Sequence, residues 1–302
     1  MPAKLLEGKP IAQRVKEEIK EEVKGIIAKS GKRPALAAVQ IGDNPAAEVY
    51  FKSQIKCAGE LDIEYRHHKL SQDISQDSFF SFIDSLNKDN SVSAVFSQMP
   101  LPKHIDSRLL PKHLCPSKDA EGMHPENLGR LFFGKAKFIP CTAHSVMELL
   151  KASGVQLYGK EVVVVGHSEI VGKPLSLLLL EQFATTTVCH IATGERGLTA
   201  EHVKRAEVLV VAVGRANLIK GEWVKEGAIV VDVGINRVND KIIGDVEFEE
   251  AAKRASWITP VPGGVGPLTV TMLMRNVVEA AKLQLNANVV NGLKPFTTEL
   301  SI

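Results

Sequence analysis

Aromatic residues are scarce, at 5% of the chain, too few rings for a surface that stacks successive bases of a single strand. A dominant charge is missing as well. Lys and Arg number 37 against 35 Asp and Glu, a net charge of +2, so the clustered basic surface needed for broad nucleic-acid binding is not expected. Cysteines are only four, Cys57, Cys115, Cys141 and Cys189. They are scattered without a C-x-x-C pair, which argues against a zinc site or disulfide framework and for reduced thiols in the cytosol. His67 and His68 lack partners at metal-ligand spacing, and no metal is expected. No apolar run approaches the ~18 residues of a membrane span. The opening MPAKLLEGKP has no apolar signal-peptide core, so a soluble cytoplasmic protein without membrane partners is expected. No internal repeat is visible.

What is present is ordinary globular composition: 302 residues, 44% hydrophobic and 24% charged, enough for about two domains. Residues 10–29 place Ile11, Val15, Ile19 and Val23 at helical spacing, with charges between them. PALAAVQI (34–41) reads as a buried strand, GDNP (42–45) as a turn, and 46–60 as a helix. EYRHHKL (64–70) is a strand, 78–89 a helix, and VSAVFSQMP (92–100) a buried strand ending at proline. The Pro-, Gly-, Lys- and His-rich stretch 100–140 reads as long functional loops, followed by a helix over 142–152. Apolar runs at 161–166, 185–191, 206–214 and 227–235 alternate with helical segments such as 171–182, the pattern of a doubly wound parallel sheet in an α/β fold. PVPGGVGPLTV (260–270) is a glycine-proline loop feeding a last helix over 270–283, and the tail from Asn286 shows no periodicity.

VVVVGHSEIVGKP has the context of a dinucleotide site: buried strand, tight glycine turn, helix N-terminus. The spacing Gly166 to Gly172 departs from G-x-G-x-x-G, with His167 and Ser168 near the missing glycine. A strand–turn–helix without ligand fits the same residues. The next strand ends in His190, Ile191, Ala192 and Thr193 with no carboxylate for ribose hydroxyls, while His167, Lys173 and Arg196 suit a 2′-phosphate. NADP is favoured over NAD on this ground. Glu169 pulls toward NAD.

The segments SQMPLP (97–102), KDAEGMHPENLGRL (118–131), GHSEIVGKP (166–174) and PGGVGPLT (262–269) together resemble the FolD family, methylenetetrahydrofolate dehydrogenases that are often also methenyltetrahydrofolate cyclohydrolases. The resemblance runs from about residue 4 to 283. It implies an N-terminal αβ domain (1–141 with 271–302) for folate, a Rossmann-like NAD(P) domain (142–270), a tetrahydrofolate substrate and a homodimer. It also implies substrate contacts from Tyr50, Gln98, Met99, Pro262, Gly263 and Gly264. Cofactor contacts would come from Gly166, His167, Ser168, Ile191, Ala212, Ile235 and Thr269. Two reactions share the cleft of such enzymes. Hydride leaves the one-carbon bridge of the folate for the nicotinamide, which requires alignment and no protein base. Water then opens the methenyl product, which requires positioned proton transfers.

The family's Tyr-x-x-x-Lys motif reads YFKSQ here: Tyr50 is kept and Gln54 stands at the lysine position. Residues 50, 53, 54 and 57 are expected on one helix face, with Lys52 and Lys56 turned away. Glutamine donates and accepts hydrogen bonds and exchanges no proton near neutral pH. Glu121, in KDAEG, stands at the position of a pterin-binding aspartate, and Gln98 matches a glutamine that assists the lysine. Ala143 and His144 replace a Pro-x-Gly pattern, and His167 a common arginine. His124 and His144 have no assigned role. With Tyr50, Gln54, Gln98 and Glu121 as catalytic candidates, the expectation is an NADP-dependent dehydrogenase with weak or lost hydration. The ordinary bifunctional enzyme and a non-catalytic folate- or nucleotide-binding protein are the alternatives.

Overall fold

A computed structural model describes residues 2–292, excluding the side chains of 45–47 and 288–292. The chain divides into two compact units, Met1–Glu18 with Glu121–Leu273 and Ile19–Ala120 with Met274–Ile302. The boundaries fall inside the long helices Gly8–Ser30 and Gly266–Gly292.

The larger unit carries a six-stranded parallel sheet in the order Lys4–Leu5, Trp257–Ile258, Ile229–Asp232, Val208–Val211, Glu161–Val165, Thr185–Cys189. Its central strands are unbroken apolar runs because both faces are covered. Val163, Val165, Leu209, Val211 and Val230 join Val203, Ile219, Val246 and Ala251 in one core. The doubly wound α/β expectation holds.

The smaller unit is built on a three-stranded parallel sheet, Glu64–Leu70, Ala35–Ile41, Ala94–Ser97, with Ala35–Ile41 in the middle. Helix Gln76–Lys88 packs Phe79, Phe80, Ile83 and Leu86 against Ala37, Val39 and Val95 of the sheet. Ser75 caps its start by accepting from the Ser78 amide. Strand Glu64–Leu70 shows period-two alternation. Tyr65 and His67 meet helix Pro45–Glu60, while the His68 ring lies 5.3 Å from Phe82 of helix Gln76–Lys88.

Several expected boundaries move. The strand expected over 92–100 is only Ala94–Ser97, and that over 185–191 stops at Cys189, where a short helix Ile191–Glu195 begins. The last helix starts at Gly266 and runs to Gly292, so residues 286–292 of the expected tail are helical. Residues 293–302 lie outside the described residues. The two-residue strands Lys4–Leu5 and Trp257–Ile258 are too short to show periodicity in sequence. The hairpin Asn236–Val238/Lys241–Ile243 turns on Asn239 and Asp240, both at positive φ, a turn signal passed over in the sequence. Among the described residues no helix is long and apolar enough to cross a membrane, and no His, Cys, Asp and Glu group could hold a metal.

The lysine of the KDAEG segment has a structural post. Lys118 is buried, and its Nζ donates to the carbonyls of Leu86 (2.9 Å) and Asp89 (2.7 Å) at the end of helix Gln76–Lys88. Burial pushes its pKa down, with Asp89 opposing. Lys118→Ala takes the ammonium from the Leu86 carbonyl and from the Asp89 carbonyl, which keeps the Val92 amide, and a loss of about 2–4 kcal/mol in urea unfolding is expected; a loss below about 0.5 kcal/mol would show that water replaces the ammonium.

Candidate active site

In the larger unit, the turn after Glu161–Val165 depends on close backbone approach. Gly166 has φ 118°, and a Cβ there would meet the Ala212 carbonyl oxygen at 2.2 Å. A Cβ on Gly172 would meet the Gly166 carbonyl oxygen at 2.0 Å. Glycine at both positions lets strand, turn and helix Gly172–Glu181 close on one another. Ser168 shapes the turn: its Oγ accepts from the Val171 amide at 3.1 Å. Val171 provides no side-chain cap, while the Lys173 amide donates to the Ser168 carbonyl at 3.0 Å and Pro174 has no N–H, so the Gly172 amide is the one the first turn can offer. The rings of His167 and His190 lie 5.2 Å apart, edge to face, at the ends of neighbouring strands. Ile191 is 77% exposed and Ile235 69%. Exposed apolar side chains beside this glycine turn suit a dinucleotide, its phosphate at the helix start and its rings on the isoleucines. Lys173 is paired with Glu169 at 3.2 Å.

A cavity of about 560 Å³ lies beside this sheet, lined among others by Ile235, Pro262, Gly263, Gly264 and Thr269, with Lys9, Thr142 and Asp232. Five residues expected from sequence are thus gathered by one hollow. The start of helix Gly8–Ser30 braces its wall. The Gly8 amide donates to the Gly263 carbonyl at 2.8 Å, and a Cβ on Gly8 would meet the Gly264 carbonyl oxygen at 1.9 Å. Thr269 donates its hydroxyl to the Gly266 carbonyl at 2.9 Å.

Two buried carboxylates that sequence reasoning missed hold the loops of this region. Asp245 accepts from the amides of Val213 (2.7 Å), Gly214 (2.9 Å) and Arg215 (2.8 Å) and from Asn236 Nδ2 (2.8 Å). Asp232 accepts from the amides of Gly234, Asp245 and Val246 at 2.8–3.1 Å. Burial pushes the Asp232 carboxyl up to about 6 against the pull of those donors, with Asp245 adding to the rise. The available signal was an aspartate closing an apolar strand, IVVD, where an unpartnered charge cannot stay buried.

In the smaller unit, helix Pro45–Glu60 buries a stripe of Phe51, Gln54, Cys57 and Ala58. Of the expected face of 50, 53, 54 and 57, Gln54 and Cys57 fall within that stripe. Ser53 is exposed, with its hydroxyl on the Val49 carbonyl. Tyr50 is half-buried, 6.0 Å from the Phe96 ring, and Lys52 and Lys56 are exposed as expected. Gln54 is 0% exposed. Its Oε1 accepts from the Tyr65 hydroxyl at 2.6 Å, and its Nε2 is buried with no partner among the described residues. Gln98 sits just past strand Ala94–Ser97. Its Nε2 donates to the Met99 carbonyl at 2.6 Å, and its Oε1 is buried with no partner among the described residues. Met99 is exposed. Glu121 is half-buried and belongs to the larger unit. His124 caps helix Pro125–Phe132 by accepting from the Glu126 amide at 3.0 Å, and His144 lines a separate hollow with Leu131, Glu148 and Lys151. Tyr65 was missed in sequence, although the alternation of Tyr65, His67 and Lys69 placed it on one face of its strand.

Known proteins match along nearly the whole chain. Residues 6–121 match the family described as tetrahydrofolate dehydrogenase/cyclohydrolase, catalytic domain, and residues 140–285 its NAD(P)-binding domain. The bifunctional protein FolD of Acetivibrio thermocellus is 50% identical over 285 residues, 94% of this chain and 99% of that protein. The crystal structure of the bifunctional FolD methylenetetrahydrofolate dehydrogenase/cyclohydrolase from Campylobacter jejuni is similar at TM-score 0.89 and 44% identity, covering 93% of this chain and 99% of that one. The Trypanosoma brucei FolD, complexed with NADP cofactor and inhibitor, is similar at TM-score 0.88 and 36% identity, covering 94% and 98%.

Two outcomes are expected. Gly172→Ala drives a methyl group into the Gly166 carbonyl, and dinucleotide affinity measured by calorimetry falls on the order of tenfold or more; unchanged affinity would remove this turn from the binding site. Asp232 binds its proton more tightly folded than unfolded, so its contribution to stability is largest below about pH 4 and declines as pH rises through 6. The difference in unfolding free energy between the parent chain and Asp232→Asn then shifts against the parent by about 2 kcal/mol between pH 4 and 7. A difference that grows in the parent's favour would contradict the assignment.

Proposed function

Because the chain belongs to the tetrahydrofolate dehydrogenase/cyclohydrolase family, we propose that it is a bifunctional enzyme: it oxidises 5,10-methylenetetrahydrofolate with NADP and hydrates the methenyl product. The observation that carries this reading is the cavity formed by Ile235, the Pro260–Gly266 loop and Thr269 at the carboxyl end of strand Ile229–Asp232, where ligands of open α/β sheets bind. The relative at 50% identity is named bifunctional, and that supports two activities more than one. NADP is supported by the relative crystallised with it and by the strand end His190–Thr193, which carries no carboxylate.

In this reading the nicotinamide, when bound, supplies the hydride acceptor. The chain's own residues align the substrate. Tyr50, half-buried beside Phe96, offers a ring to the pterin. The Gln98 Oε1, with its amide nitrogen spent on Met99, offers an acceptor for the N–H groups of that ring. Pro262, Gly263 and Gly264 shape a wall whose two glycines carry no side chain in the way of a flat ligand. Alignment suffices for hydride transfer, whereas hydration requires a group that moves a proton.

A second reading, dehydrogenase with attenuated hydration, is favoured by one observation. Gln54, buried and bonded to Tyr65, is a neutral amide with no proton to exchange near pH 7. Tyr50 and Glu121 are left to handle the proton. A homodimer is supported by the edge strand Thr185–Cys189, which ends the six-stranded sheet near exposed Tyr158, Leu180, Phe183 and Val188; such an edge is usually covered. A cytoplasmic location is supported by four free cysteines.

One assay series tests both readings. Methenyltetrahydrofolate is followed by absorbance as it forms with NADP or NAD, and its decay is compared with the spontaneous rate. Bifunctionality requires formation and accelerated decay. Formation without acceleration, with hydration raised on the order of tenfold or more by Gln54→Lys, establishes the second reading. No methenyl product with either nucleotide would defeat both.

A further inference from the structure

The buried amide at position 54 is held at one end only. The Tyr65 hydroxyl donates to Oε1 at 2.6 Å, and Nε2 has no partner among the described residues although the residue is 0% exposed. A buried donor left without an acceptor costs roughly 1–3 kcal/mol, so the arrangement points to an acceptor that arrives with a ligand. Tyr65 decides which end of the amide is free. A phenol that stays protonated presents its O–H to the carbonyl oxygen, and the NH2 group is left facing the other way. Burial, with Tyr50 nearby, pushes the Tyr65 hydroxyl well above its ordinary value and keeps the proton on.

The anchor itself is firmly placed. Tyr65 pairs in register with Leu36 of the central strand. Two residues on, His67 stacks on Phe51 with ring centroids 4.3 Å apart and bonds Gln40 Oε1 at 3.0 Å. Gln40 in turn donates to the Gly42 carbonyl at 2.9 Å. Phe51 and Gln54 lie one turn apart on helix Pro45–Glu60, so strand and helix meet at two neighbouring points. Rotation of the amide is therefore governed by a rigid strand rather than by solvent.

We propose that Tyr65 is a positioning residue: by holding the Gln54 carbonyl oxygen it aims the amide NH2 at an acceptor atom of the substrate, a carbonyl oxygen or neutral ring nitrogen of the folate. This rests on the reading that helix Pro45–Glu60 faces the folate. It turns position 54 into a fixed hydrogen-bond donor whose direction does not change with pH, because neither partner titrates near neutrality.

The test compares Tyr65→Phe, Gln54→Glu, Gln54→Met and the double variant Gln54→Met/Tyr65→Phe. Tetrahydrofolate binding is measured by calorimetry without nucleotide, and KM and kcat in the dehydrogenase assay. Tyr65→Phe removes one oxygen and keeps the ring. The expected result is a rise of about tenfold in Kd and KM for the folate, with KM for NADP and the thermal midpoint little changed. Gln54→Glu keeps the acceptor for Tyr65 and removes the NH2 group, so it weakens folate binding at least as much without touching the anchor, and it stands as the test if Tyr65→Phe does not fold. In the Gln54→Met background, Tyr65→Phe adds nothing. Normal folate binding by Tyr65→Phe, or by Gln54→Glu, overturns the proposal. Weak binding by Gln54→Met beside normal binding by Tyr65→Phe would leave Gln54 at the folate and refute the anchor alone. Normal binding by Gln54→Met would refute the placement of position 54 at the substrate, and the proposal with it.

Discussion

A carboxamide shut away from water must find its partners in the protein or in a ligand, and Gln54 finds one among the described residues. That constraint organises the chemistry assigned to the chain. The Tyr65–Gln54 bond exists because a parallel strand and the helix beside it present their side chains to each other at Tyr65 and Gln54 and again at His67 and Phe51. The fold thereby supplies a neutral, directed donor. An ammonium at the same position would supply a proton that moves and a charge that opposes a cation forming on the one-carbon bridge. A neutral amide supplies neither, and so hydride transfer and hydration need not depend on position 54 in the same way.

The larger unit solves a different problem, bringing backbone close to backbone. Gly166, Gly172 and Ala212 crowd to distances at which no Cβ fits, as do Gly8 and Gly264. The loops so assembled are then tied by buried carboxylates. Asp245 collects three successive amides and an asparagine, and Asp232 collects three more. Negative charge held this way rigidifies loop backbone without adding side chains to the cavity, which leaves room for flat ligands.

Much of this was legible in the residues. The apolar runs of the doubly wound sheet announce themselves because strands buried on both faces carry no alternation, and EYRHHKL reads as a strand end to end. The glycine turn and the PGGVG loop were visible as punctuation. What stayed hidden needed the third dimension. Trp257–Ile258 is two residues long and pairs with Lys4–Leu5 near the N-terminus as well as with Ile229–Asp232. The buried stripe Phe51, Gln54, Cys57 and Ala58 of helix Pro45–Glu60 was not read from the sequence. Lys118, within a segment read for its chemistry, serves helix carbonyls instead. The Tyr65–Gln54 pair joins residues eleven apart, and no periodicity links a strand residue to a particular turn of the preceding helix. The family match strengthened the bifunctional alternative over the loss of hydration that Gln54 alone suggested, since one neutral side chain does not decide what Tyr50 and Glu121 can do with a proton.

The most direct measurement is a crystal structure of the chain with NADP and an unreactive folate analogue carrying the bridged ring. The account requires Gln54 Oε1 to remain on the Tyr65 hydroxyl and Nε2 to lie about 3 Å from an acceptor atom of the pterin. A complex in which the amide has turned its nitrogen to Tyr65, or in which the analogue sits away from helix Pro45–Glu60, would contradict it.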